Sequence, residues 1–428
     1  MADRIPCDPT GCVLAQFARA IAAGRGLNGP RHCLGGKIMR PLLTVLTLSL
    51  VLTGCLGRPA LRESVLGYDA TVSALEQQIL LLNIARLGLD RPPHFTVTSS
   101  IAATFTFEKS AGIRGAIFEG AGTDALELDL NARVAENPTF SIVPISGQEF
   151  TQRILTPVTE DVLAFFMFQG VRIELLGRLM GDAIEMLGTK GGTKRVYSNK
   201  VTSPDQFRTF RQIILHLGSL QQGGQLFINE LTFDQAVLDR VRQQPSTGDI
   251  VSALGGGLAW KQNADNTFTL SRPVRGRILI SNYDPRSLSN VEREKLNDIA
   301  SENPDNFVLI DVRPEHPGGD FPIFGALKLR SLFAMLDFVG KSIRLFPEFA
   351  VDPDPRSTGD VRNPVRTLDI QVSDQPPRAD DQSIDFEGQY YTVSDTRWDR
   401  AAFMVLYELF QVTVTDVSRI GIPITIAK

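Results

Sequence analysis

Beyond residue 55 the chain holds three histidines and no cysteine: His94, His216 and His316 are the side chains best suited to acid–base or metal chemistry. His316 has the richest surroundings, in Asp311-Val-Arg-Pro-Glu315-His316-Pro-Gly-Gly-Asp320. Asp311, Glu315, His316 and Asp320 are of the types that ligate a hard metal or pass protons as acid and base. They are weak candidates, because a Pro/Gly-rich turn carries such residues without chemistry. His216 lies in the apolar run Ile213-Ile214-Leu215-His216-Leu217 and reads as a satisfied helix histidine. His94 follows Pro92-Pro93, with no second ligand nearby. No Gly-x-Ser-x-Gly elbow, His-Glu-x-x-His helix or EF-hand loop occurs, and Gly188-Thr-Lys-Gly-Gly-Thr-Lys-Arg195 misses the phosphate-loop spacing. The expectation is no catalytic set, no resident metal and no cofactor, and whether the chain is an enzyme stays open, with the polar loop as the place a hydrolase activity would have to reside.

The four cysteines are Cys7, Cys12, Cys33 and Cys55. The last stands at the end of a distinct layout: Met39-Arg40, then twelve residues from Pro41 to Leu52 that are largely apolar, then Thr53-Gly54-Cys55. A basic head, a short apolar stretch and small residues before a cut describe a secretory signal peptide. The stretch is too short for a comfortable transmembrane helix, which needs about 20 apolar residues. Leu52-Thr53-Gly54-Cys55 resembles the lipobox of bacterial lipoproteins. That resemblance implies that residues 39–54 are removed and that Cys55 is acylated, with palmitate among its chains, and becomes the mature N-terminus. Two or three acyl chains, at about 0.8 kcal/mol per buried methylene, anchor a protein permanently where one does not. Leu56 stands where enteric inner-membrane lipoproteins carry Asp, which points to the outer membrane, with the body on the periplasmic side. Residues 1–38 precede a self-sufficient signal and read as an upstream extension of a chain whose translation starts at Met39.

Removing residues 1–54 leaves 38 basic against 46 acidic residues. An acidic balance argues against a nucleic-acid partner. The mature chain has one thiol, so no internal disulfide supports its fold.

The elements are read from periodicity. Val72, Leu75, Ile79, Leu82 and Ala85 predict a helix over 68–89, stopped by Asp90-Arg91-Pro92-Pro93, after a lipidated tether at 55–67. The period then drops to two. Phe95, Val97, Ile101, Phe105 and Phe107 alternate with polar residues, as do Leu126 to Val134 farther on. This predicts a long hairpin within 94–145, with strands over 95–108 and 125–135 around a glycine-rich tip and a turn at Asn137-Pro138. Ser146…Glu149 and Ser289…Glu292 read as capping boxes, Ser203-Pro204 as a helix start and Ser394…Arg397 as a weaker one. Strands are expected at 225–229, 257–260, 267–271, 277–281 and 307–312, and a helix at 329–343. A Pro/Asp-rich loop spans 351–385, and 386–428 closes as strand, helix, strand. The sum is an α+β fold of mixed, mainly antiparallel sheets with packed helices, its body spanning 68–350, after an N-terminal lipoprotein signal peptide.

Leu80-Leu-Leu-Asn-Ile-Ala-Arg86 and Asn137-Pro-Thr-Phe…Ile154-Leu-Thr-Pro157 are similar to uncharacterised lipoproteins of Gram-negative bacteria. The resemblance covers patches and implies no activity. Three functional readings remain, in order: a lipid-anchored envelope protein of structural or interaction type with envelope protein partners, a subunit of an oligomeric outer-membrane pore built from hairpin 95–135, and an anchored hydrolase.

Overall fold

The computed structural model describes residues 57–116, 125–145, 147–187, 194–357, 359, 361–378, 381–414 and 424–426. Cys55 and the signal peptide lie outside them. The chain divides into Met1–Asp69 and Ala70–Lys428. The described part of the first unit is the opening of a helix that carries exposed Val65 and Leu66, and all later elements belong to the second unit.

That helix, α1 (Gly57–Gly88), begins inside the stretch expected to be a tether. Its buried residues are Leu80, Leu81, Ile84, Ala85 and Leu87, whereas Leu75 is exposed. The expected stripe of Leu75, Ile79 and Leu82 instead borders a shallow cavity under Ile384 and Tyr390. After it come β1 (Phe95–Ala116), β2 (Ala125–Ile145), α2 (Gln148–Leu155), α3 (Glu160–Phe168), α4 (Ile173–Met180), β3 (Gly181–Met186), β4 (Arg195–Ser198) and α5 (Pro204–Gln222). Next are β5 (Phe227–Val241), α6 (Thr247–Gly255), β6 (Ala259–Gln262), β7 (Phe268–Ser281), α7 (Asn290–Ser301), β8 (Phe307–Val312), β9 (Ile323–Leu329) and α8 (Leu332–Arg344). The chain ends in β10 (Ile370–Ser373), β11 (Ser383–Phe386), β12 (Gln389–Val393), α9 (Arg397–Val414) and β13 (Ile424–Ile426).

The fold is α+β. A seven-stranded sheet runs β4-β3-β9-β8-β7-β5 with β6 added on β7, and only the β7–β8 pair is parallel. A second sheet, β10-β12-β11, and a third, β1-β2-β13, are antiparallel. The strand-then-helix pairs β4–α5 and β12–α9 fall in different sheets, the first strand at an edge and the second in a centre.

Capping decides several boundaries. Ser289 and Glu292 form the expected box on α7, and Ser246 with Asp249 forms another on α6 that reading for Glu or Gln at the third position passes over. Pro204 opens α5, while the Ser203 side chain makes no cap bond. On α2 the cap residue is Gly147 and Glu149 pairs with Arg153 at 2.6 Å, while Ser146, the other half of the expected box, lies outside the described residues. Ahead of α9, Thr396 rather than Ser394 accepts the N–H of Asp399, at 3.1 Å.

The segment after α8, expected as a surface loop, is tied into the body. Arg211 of α5 is buried against Glu348, and Thr367 Oγ1 donates to the same carboxylate at 2.8 Å. Arg178 of α4, also buried, donates to the Pro364 carbonyl at 2.7 Å. Buried cations must be matched this closely or the charge is too unfavourable to bury. Helices α1 and α8 meet backbone to backbone, where a Cβ on Gly340 would collide with the Ile84 carbonyl and stand 2.8 Å from the Gly88 nitrogen. Glycine is required there by contact, not by φ.

Candidate functional site

The hairpin β1–β2 is the feature no compact fold requires. Its strands have 22 and 21 residues, against about 5–6 in ordinary soluble sheets. At about 3.4 Å per residue it reaches about 70 Å. Both strands run past the expected ends, and β2 passes straight through Asn137-Pro138, with Asn137 opposite Thr104 and Pro138 opposite Ala103. Proline is tolerated in a strand where its missing N–H faces an unpaired edge.

Register sorts the two faces. Phe107–Val134, Ala111–Leu130 and Ile113–Leu128 oppose one another on one face; Thr104–Asn137, Glu108–Arg133 and Arg114–Glu127 do so on the other. Directly opposed residues share a face, so the apolar sets of both strands coincide, interrupted from 101 outward only by Lys109 and Glu136. A register shift between Thr98 and Ser100 inserts one residue in β1. This bulge corrects the simple alternation: Phe95 and Val97 lie on the face opposite to Ile101, because an extra residue inverts the parity of the strand. At the root, Phe95 turns into the core, its ring 5.3 Å from Phe410 of α9 and 5.6 Å from Phe150 of α2.

The root is also clamped by a polar group that periodicity does not flag. Asn83 is buried in the last turns of α1. Its Oδ1 accepts the N–H of His94 at 2.7 Å, and its Nδ2 donates to the His94 carbonyl at 3.0 Å. Arg86 adds a longer bond to the same carbonyl. A buried amide inside Leu80–Arg86 was the available signal, since such a group must find partners. His94 serves through its backbone, and its side chain is exposed.

The polar loop is built as a tight turn. Asp311, at the end of β8, is buried, and its Oδ2 accepts from Tyr283 Oη at 2.6 Å and Arg313 Nε at 2.8 Å. Burial and the nearby carboxylate raise the Tyr283 pKa, so the phenol stays a donor. His316 stacks beside Tyr283 at 5.0 Å, while Glu315 and Asp320 are exposed. Asn282 shapes the turn, accepting Arg313 N–H at 2.9 Å and donating to the carbonyls of Arg313 and Pro317. Among the described residues no three His, Cys, Asp or Glu side chains stand together as a metal would need. The four weak candidates are thus not brought together.

His216 is almost fully buried and joins two segments. Its Nε2 faces the Gly318 carbonyl at 3.0 Å, so that nitrogen carries the proton, and Nδ1 meets Ser357 Oγ at 3.0 Å. Burial above all lowers its pKa, against the raising effects of the Gly318 carbonyl, Asp354 and Asp320. Asp354, in the Asp-rich segment, is held to about 2 chiefly by the Arg356 guanidinium. Both groups have structural partners.

Compared with known proteins, the chain matches no family model, no curated protein and no solved structure. No described helix is long and apolar enough to cross a membrane.

Proposed function

We propose that this is a lipid-anchored envelope protein that works by assembly, held at the outer membrane through Cys55 and contacting other envelope components through its hairpin. The observation that carries the reading is the hairpin itself. It sorts into an apolar and a polar face, and no described strand pairs with the outer edge of β1. An exposed strand edge is a template for another strand unless it is covered. No cofactor enters this reading. Processing is tested by Cys55→Ser: the variant should accumulate as an unprocessed precursor and leave the membrane fraction, and normal maturation would remove the anchor from the account. Crosslinking in intact cells should then recover envelope partners with the wild-type chain.

A second reading, a pore subunit, is favoured by strand length. Crossing a bilayer takes about 9–11 residues per strand, and both strands have about twice that. One hairpin in hydrocarbon would leave unpaired edges, so copies would have to close a barrel, with the face of Thr104, Glu108 and Arg114 toward water. Protection of the hairpin from protease only in membranes would favour this reading over the first.

A further inference from the structure

Three segments distant in sequence converge around a second opening. A cavity of about 340 Å³ opens between residues 169–175 ahead of and within α4, Arg362 in the tied segment, and the first turns of α9. Arg172, Arg362 and Arg397 line it together with Trp398, Leu175 and Val405, and among the described residues no carboxylate lines it. Arg172 is paired with Glu174. Arg362 and Arg397 are exposed and form no ion pair among the described residues. Single unpaired surface arginines are ordinary; two over one aromatic and aliphatic wall are not. The N-terminus of α9 borders the same opening and adds its partial positive charge.

The walls are fixed in advance. Trp398 Nε1 donates to the Thr367 carbonyl at 2.9 Å. The Arg178 guanidinium, on a side chain 1% exposed, lies 5.3 Å from the centre of the Trp398 ring and itself donates to Asn363 and Pro364, next to Arg362. One buried cation therefore positions both the ring and the backbone beside Arg362. Its Nε has no hydrogen-bond partner, and buried Glu174 supplies a carboxylate charge nearby. On the opposite wall Gln221 of α5 accepts from Ile173 N–H at 2.7 Å and donates to the Val171 carbonyl at 3.2 Å. A fixed aromatic wall beside two exposed cations suits an anion carried on an apolar stem.

We propose that this cavity binds an amphiphilic oxyanion, its phosphate or carboxylate head between Arg362 and Arg397 and its stem against Trp398, Leu175 and Val405. The chain has two tryptophans, so Trp260→Phe leaves Trp398 as the sole reporter. The lipidated protein in phosphatidylcholine nanodiscs is titrated with octyl phosphate below its micelle concentration, with inorganic phosphate and with octyl glucoside, and empty discs are subtracted. Octyl phosphate should change Trp398 fluorescence saturably. Inorganic phosphate should bind at least about tenfold more weakly, and Arg362→Gln and Arg397→Gln should each weaken octyl phosphate by about tenfold or more. Both variants alter exposed side chains, and unchanged thermal unfolding verifies their fold. Equal binding of octyl glucoside, wild-type affinity in both variants, or equal affinity for inorganic phosphate would each overturn the proposal, the last by revealing a site for free anions.

Discussion

The side-chain amide of Asn83 grips both backbone groups of His94, joining the end of α1 to the first residue before the hairpin. This sets where β1 leaves the body, and Phe95 then locks the exit between Phe150 and Phe410. Asn83→Ala keeps the helix former and removes the grip. It should destabilise the protein by about 1–3 kcal/mol in denaturant unfolding and open the 90–96 segment to limited proteolysis. Wild-type stability and cleavage would show that the aromatic seat alone holds the root.

A methyl group at the crossing of α1 and α8 has nowhere to go. Gly340→Ala should push the helices apart and cost about 1–3 kcal/mol, even though alanine is the better helix former. The thermal midpoint is the readout. A rise would mean that the helices shift at no cost.

Stability should fall in mild acid through His216. Its folded pKa lies below the ordinary 6.5, so below that value the unfolded chain takes up a proton that the folded chain resists. No loss is expected above pH 6.5 from this group, and the loss grows as pH falls toward the folded pKa. His216→Gln keeps a donor for the Gly318 carbonyl and cannot titrate. Its unfolding free energy should therefore drop less than wild type between pH 7 and pH 5; parallel curves would assign the acid loss to other groups.

The α+β class, the hairpin and β8 were legible because each rests on local period and composition. What was not legible depended on long-range partners. The bulge at Ser99 leaves alternation by residue type intact while inverting the faces, which only pairing with β2 reveals. The stretch 351–369 looks solvated by composition, yet residues near its ends answer the buried cations Arg178 and Arg211, which sit on helices far earlier in the chain. Asp311, Glu315, His316 and Asp320 form a plausible acid–base set by type. Tyr283, Arg313 and Asn282 instead commit that turn to shape. The cavity under Arg362 and Arg397 draws on three segments that no sequence window unites.

Assembly through the hairpin is tested most directly by extracting the mature protein in mild detergent, measuring its native mass and mapping protease cleavage over residues 95–145. The account predicts a complex heavier than one chain, with the hairpin protected in it and exposed once the complex is dissociated. A monomer whose hairpin is cleaved equally before and after dissociation would contradict it.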